Sequence, residues 1–340
     1  MLKIQFLRRI FLRLFAGLLG IGLLSYLVFR AGPGVIWEQF QAVGWGLVLI
    51  IILGGLSQFI QTCAWRQTFT CDISGLSWAR SFGVQLISDA AGQLGLAGKL
   101  LGDALRVSLL GSVVPLPSGI SAAAIDGGLH VLTAAVVTVL GIIATLLVVH
   151  ISGTWRMSAL LVAAVLVAVV TLAAVAVASR WPLMGKAARV IGRLPILHNW
   201  VSARQPIIDS AEHNLLDYYR VAPAAFCKGL LFNFLWHALA VSEVFLILRF
   251  MGAHIAVVSA FVVEGLTKVI NLVGVLNPGN LGTYEGGNML IVKFLGVPGT
   301  TGLTLALCRR ARSIFWAGIG AMCMILMKKP SYVARAAAAK

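Results

Sequence analysis

Residues 157–179 run for 23 positions without one charged side chain. As an α-helix rising 1.5 Å per residue, that run is about 34 Å long. The hydrocarbon layer of a bilayer is about 30 Å thick and needs roughly 20 apolar residues to cross it. Five further segments have the same character: 10–29, 44–65, 119–149, 224–249 and 303–327. A water-soluble fold has no way to cover six such helices. Soluble domains carry about 25% charged residues, whereas this chain of 340 has 11% charged and 59% hydrophobic residues. The expectation is an all-α, polytopic helical membrane bundle forming a single integral membrane domain over 1–340.

The net charge of +16 suggests nucleic acid at first sight, but its placement points elsewhere. Sixteen of the 27 Lys and Arg fall within 1–13, 64–81, 180–222 and 328–340, all between or beyond the apolar segments. Basic clusters flanking spans mark cytoplasmic loops beside anionic lipid. No nucleic-acid partner is expected, and both termini are expected in the cytoplasm. Lys3, Arg8, Arg9 and Arg13 before an apolar run to Phe29 mimic a signal peptide. No small-x-small cleavage site follows, so a retained first span is expected.

Two segments, 82–112 and 255–297, are apolar but interrupted by glycines and charges. Because 64–81 and 180–222 both lie inside, counting crossings returns 82–112 to the inner face. The same count brings 255–297 in from outside and back out. Two broken or re-entrant hairpins of inverted orientation are therefore expected, one in each repeat, with the basic loop 180–222 between the repeats. Leu101-Gly102-Asp103 and Leu110-Gly111 echo Leu281-Gly282, Glu285 and Leu295-Gly296. Paired interrupted segments point to a binding site near the midplane of an inverted-repeat transporter. Broken backbone at that depth must be buried in protein or line a wet cavity. Within 180–222, a helix from Pro206 to Tyr219 is expected. Ile207, Ile208, Ala211, Leu215 and Tyr218 would form its apolar face, opposite Asp209, Glu212 and His213.

Charges at membrane depth are costly and mark functional sites. The apolar segments hold Asp89, Asp103, Asp126, Glu243, Glu264 and Glu285, with Lys99, Arg106, Lys228, Lys268, Lys293, Arg309, Arg310 and Arg312. Spacing suggests pairs of Asp103 with Arg106 and of Glu264 with Lys268. Arg309 to Arg312 would either snorkel to the outer interface or turn inward to offset head-group charge. Glu264, Lys268 and Asn271 share one helix face ahead of the break Asn277-Pro278-Gly279-Asn280-Leu281-Gly282. The return helix begins at Tyr284-Glu285-Gly286-Gly287, and its free N–H groups would face an anionic head group. Gly98, Lys99, Gly102, Asp103 and Arg106 repeat this logic in the first hairpin. Gly98, Gly102, Pro278, Gly279, Gly282, Gly286 and Gly287 are candidate hinges. Glu285 serves either as a strut to the arginines or as a proton carrier.

No metal site and no cofactor are expected. The five cysteines have no C-x-x-C spacing, and His130 and His237 read as helix-packing residues. An intramembrane aspartyl protease would need Gly-x-Gly-Asp, but residues 100–103 read Leu-Leu-Gly-Asp. No G-x-S-x-G elbow or H-E-x-x-H helix is present either.

Residues 277–287, then Leu295-Gly296-Val297, then Arg309-Arg310-Ala311-Arg312, resemble the lysylphosphatidylglycerol-synthase transmembrane-region family of flippase-like membrane proteins. Glu285-Gly286-Gly287 and Arg309-Arg310-Ala311-Arg312 look closest to its hopanoid-associated branch. Upstream, Gly102-Asp103-Ala104-Leu105-Arg106 is similar to the family's Gly-Glu-x-x-Arg. Asp stands in place of Glu there, and no proline is nearby. The resemblance implies movement of a lipid between leaflets of a bacterial inner membrane. The lipid would be a hopanoid or an anionic phospholipid, held by Lys99, Asp103, Arg106, Glu264, Lys268, Asn271, Asn277, Asn280, Glu285, Arg309, Arg310 and Arg312. The chain runs only 13 residues past Met327, so the aminoacyl-transferase domain of the best-known members is expected to be absent. The chain is accordingly expected to be no enzyme. A scaffold recruiting a lipid-biosynthesis partner through 180–222 is the alternative.

Overall fold

A computed structural model describes residues 25–29, 32–93, 96–148, 153–191, 193, 202, 205–274, 277 and 280–327. The described secondary structure is entirely helical. The helices are α1 (Pro33–Val43), α2 (Gly46–Gln67), α3 (Trp78–Gly92), α4 (Leu96–Leu110), α5 (Leu116–Val148) and α6 (Gly153–Ala178). They continue as α7 (Leu183–Ile191), α8 (Gln205–Val221), α9 (Pro223–Phe250), α10 (Val257–Val273), α11 (Thr283–Phe294) and α12 (Gly299–Leu326). A single 3₁₀ turn, Gly111–Val113, joins α4 to α5. Local chemistry sets several starts. Pro33 and Pro223 occupy first helical turns, where a missing N–H costs nothing. Ser77 caps α3 by accepting from the Arg80 N–H.

Four helices are long and apolar enough to cross a membrane: α2, α5, α6 and α9. Helix α12 fills the expected last span with 28 residues but carries Arg309, Arg310 and Arg312. Of the expected first span, only 25–29 is among the described residues; Lys328 and Lys329 are also outside them. The interrupted segments are two helical hairpins. The first is α3–α4, with α3 ending at Gly92 and α4 starting at Leu96. The second is α10–α11, with α10 ending at Val273 and α11 starting at Thr283; residues 94, 95, 275 and 276, with Pro278 and Gly279, are outside the described residues.

Packing partners recur between the halves. Helix α2 lies against α9. Helix α3 lies against α12, as α10 lies against α5, and α4 against α5, as α11 against α12. Even the short helices follow, with α1 on α12 and α8 on α5. The α5–α10 crossing is backbone to backbone: a Cβ on Gly141 would sit 2.9 Å from the Gly265 Cα. Paired glycines are the usual means of such close approach in membranes.

Two apolar cores sit at opposite ends of α2. Ile50 packs with Val244, Ile247, Val263, Ile291 and Leu305. Trp65 packs with Phe69, Leu76, Val84, Leu110 and Ala122. Between them α2 presents Ser57, Gln58 and Gln61.

The extramembrane segment departs from expectation at Glu212. The 3.6-residue period put Glu212 on the polar face of α8, but it is 5% exposed and accepts from the Gly185 N–H at 3.0 Å. Helix α7 packs across that face, so a backbone donor compensates the burial. Tyr218 anchors α8 by donating to the Gln67 carbonyl at 3.0 Å. Burial, with the Asp126 charge adding to it, pushes its hydroxyl up to about 12. Residues 192, 194–201, 203 and 204 of the basic loop lie outside the described residues.

Candidate functional site

A cavity of about 560 Å³ lies between the two cores and is walled by both hairpins. Helix α2 contributes Gly54, Ser57, Gln58 and Gln61; the first hairpin contributes Asp89, Gln93 and Lys99. Trp236 comes from α9, and Glu264, Thr267, Lys268 and Asn271 from α10. The second break adds Asn277, Asn280 and Tyr284, and α12 adds Arg309, Arg310, Arg312, Ser313 and Trp316. Gln58 lies about 18 Å along α2 and Arg310 about 17 Å along α12, at 1.5 Å per residue. Both positions fall near the middle of their helices, so the cavity lies midway along the bundle.

Its charges, Asp89 apart, are paired. Lys268 Nζ is 2.9 Å from Glu264 Oε1, the i, i+4 pair that spacing suggested. Arg309 bridges two acids, Glu243 Oε2 at 3.2 Å and Glu264 Oε2 at 3.0 Å, and Arg312 reaches Glu243 Oε1 at 3.2 Å. Lys268, Glu264, Arg309, Glu243 and Arg312 therefore form one ladder across α9, α10 and α12. Arg310, turned about 100° from Arg309, pairs instead with Glu285 and donates to the Asn280 carbonyl at 3.1 Å. Glu285, with no exposed surface, also accepts from the Gly282 N–H at 2.7 Å. That contact ties the N-terminus of α11, where Gly282 has φ +74°, a backbone suited to glycine.

Three expectations fail here. Arg106 does not pair with Asp103. It holds Asp126 of α5 at 2.6 Å, while Lys99 takes Asp103 at 3.3 Å. Spacing along one helix cannot anticipate an acid on the next. The arginines of α12 do not snorkel outward, because Arg309 is 8% exposed and surrounded by acids. Nor do all the candidate residues reach the cavity. Lys99, Glu264, Lys268, Asn271, Asn277, Asn280, Arg309, Arg310 and Arg312 line it, whereas Asp103, Arg106 and Glu285 stand behind the lining. Among the candidate hinges, Gly102 faces the Ser88 carbonyl and Gly287 the Ile270 side chain. Gly286 faces Leu27, and Gly98 is buried.

The sequence reading missed an amide relay. Arg106 donates to Gln85 Oε1 at 2.6 Å, Gln85 to Gln61 Oε1 at 2.9 Å, and Gln58 to Asp89 Oδ2 at 2.8 Å. The only signal was the glutamines at 58, 61 and 85, amides within α2 and α3. Away from the cavity, the His130 and His237 rings lie 5.8 Å apart, and His237 meets Thr133 at 3.3 Å, consistent with helix packing. No cluster with metal-binding geometry occurs among the described residues.

The family model described as "Lysylphosphatidylglycerol synthase TM region" matches residues 13–320. The chain belongs to that family. Searches of curated proteins and of solved structures return no match. Family membership and the apolar helices together make this a multi-pass membrane protein related to lipid handling.

Proposed function

We propose that the chain is a lipid translocator, moving a lipid between leaflets or delivering it to a partner protein, with no covalent chemistry of its own. The carrying observation is the polar, mid-bundle cavity built jointly by the two hairpins. A polar head group entering hydrocarbon loses several kcal/mol per unpaired hydroxyl, about 2–7 kcal/mol, a cost that protein hydrogen bonds offset. A head group would ride in the cavity while its tails stay in the bilayer.

The recurring packing partners support an inverted repeat, in which α2–α5 and α9–α12 rock about the α2–α9 contact. Basic loops between the spans support cytoplasmic termini, and the family resemblance supports placement in a bacterial inner membrane. The family's hopanoid-associated branch and anionic phospholipids frame the substrate choice. Exposed Lys186, Arg189 and Arg193 offer a cytoplasmic face for a lipid-biosynthesis partner.

The test is reconstitution of the full chain into vesicles carrying a head-group-labelled lipid, followed by quenching of the outer leaflet. Translocation makes the whole label quenchable. If only the outer half quenches, as in protein-free vesicles, for every lipid class tried, the reading fails.

A further inference from the structure

The charge inventory of the cavity carries a substrate class. Its charged lining residues and their ion-pair partners comprise five bases and five acids. Asp89 completes the balance, although among the described residues it has no cation within ion-pair distance. Its one side-chain hydrogen bond comes from the neutral Gln58 amide, at 2.8 Å. Each cavity arginine already has a carboxylate partner: Arg309 has Glu243 and Glu264, Arg310 has Glu285, and Arg312 has Glu243. A phosphate that took Arg309 or Arg310 away from its carboxylates would leave Glu243, Glu264 or Glu285, which are 1%, 3% and 0% exposed, short of a cation. Stripping a buried carboxylate of its partner costs more than the new pair returns.

Apart from Asp89 Oδ1 and the spare N–H groups of the paired cations, the remaining hydrogen-bonding capacity is uncharged and two-sided. Gln61 and Asn271 each spend their carbonyl oxygen on another amide, which leaves their nitrogens as donors. Gln93 spends its nitrogen on the Ser313 carbonyl, which leaves its oxygen as an acceptor. Asn277 Oδ1 has no donor, and Asp89 Oδ1 is likewise unengaged. Hydroxyl groups, each both donor and acceptor, suit such a wall.

We infer that the cavity selects a lipid whose head group is net-neutral and rich in hydroxyls, a sugar or polyol, and that Asp89 sets this preference by holding the site at zero net charge. The inference rests on the proposed translocation site but concerns which head group fits it. Asp89→Asn keeps a side chain of the same shape while leaving the cavity at +1.

The experiment uses the detergent-solubilised full chain and three short-chain fluorescent lipids: glucosyl diacylglycerol, phosphatidylglycerol and phosphatidylethanolamine. Binding is read by energy transfer from tryptophan. The expected result is glucosyl lipid at least about tenfold tighter than either phospholipid, about 1.4 kcal/mol. In Asp89→Asn the ratio of glucosyl lipid to phosphatidylglycerol should fall about tenfold. Asn277→Ala should weaken glucosyl lipid alone. Phosphatidylglycerol or phosphatidylethanolamine binding as tightly as glucosyl lipid overturns the inference, as does an unchanged ratio in Asp89→Asn or no binding of any probe. Selective glucosyl binding without movement in vesicles keeps the head-group assignment and removes the translocation reading.

Discussion

Replacing Arg309 by methionine should destabilise the bundle by about 3 kcal/mol. Arg309 joins Glu243 to Glu264 at 3.2 and 3.0 Å, and both acids are nearly free of exposed surface. Removing one partner of a buried ion pair costs about 3–5 kcal/mol. The lower end applies here because each acid keeps a second cation. Glu264 retains Lys268 at 2.9 Å, and Glu243 retains Arg312 at 3.2 Å. Methionine preserves the apolar stem, so little of the loss comes from a void. Arg309→Lys keeps the charge but not the fork that reaches two carboxylates; it should lose about half as much. The assay is unfolding of the detergent-solubilised chain by titrated dodecyl sulfate, followed by circular dichroism. If Arg309→Met unfolds within about 0.5 kcal/mol of the parent, less than any buried pair should give, the ladder is not an ionised, desolvated network and the reasoning fails.

Three further outcomes follow from the same geometry. Glu285→Gln retains shape but weakens the hold on Arg310 and the Gly282 N–H. Lipid movement in vesicles should drop about 10–100-fold, the scale of one charge-assisted hydrogen bond, with unchanged elution on size exclusion. Tyr218, held protonated to about 12 against an ordinary value of 10.0, binds its proton more tightly folded than unfolded. Its contribution is therefore complete below pH 10 and is lost as pH rises toward 12; the late-titrating part of the tyrosinate absorbance should shrink by one tyrosine in Tyr218→Phe. In a background with the five native cysteines replaced, Asn280→Cys should react with a membrane-impermeant thiol reagent, and reaction only with a lipid-phase reagent would count against a wet cavity.

Residues 157–179 announced a span because an uncharged run of that length has one physical use. The hairpins were legible as apolar segments interrupted by glycines and charges, each of which folds as two helices. Glu264–Lys268 was legible because both partners share a helix. Arg106–Asp126 was not, since it depends on which face of α5 meets α4. Burial of Arg309 was hidden for the same reason, as Glu243 lies 66 positions away along the chain. The separate destinations of Arg309 and Arg310 were nonetheless implicit in a turn of about 100° per residue. Gln58, Gln61 and Gln85 carried no spacing signal. A single amide on an apolar helix reads as ordinary packing until tertiary structure brings three of them together.

The central claim is that lipid crosses through the cavity shared by the two hairpins. Asn271 lines that cavity and is exposed within it, so Asn271→Trp fills the space without disturbing a buried core. Full-chain vesicles of the parent should render all of a labelled glucosyl lipid quenchable, while Asn271→Trp vesicles, with equal protein content and the same unfolding midpoint, should stop at the outer-leaflet half. Equal movement by parent and plugged variant would contradict the account.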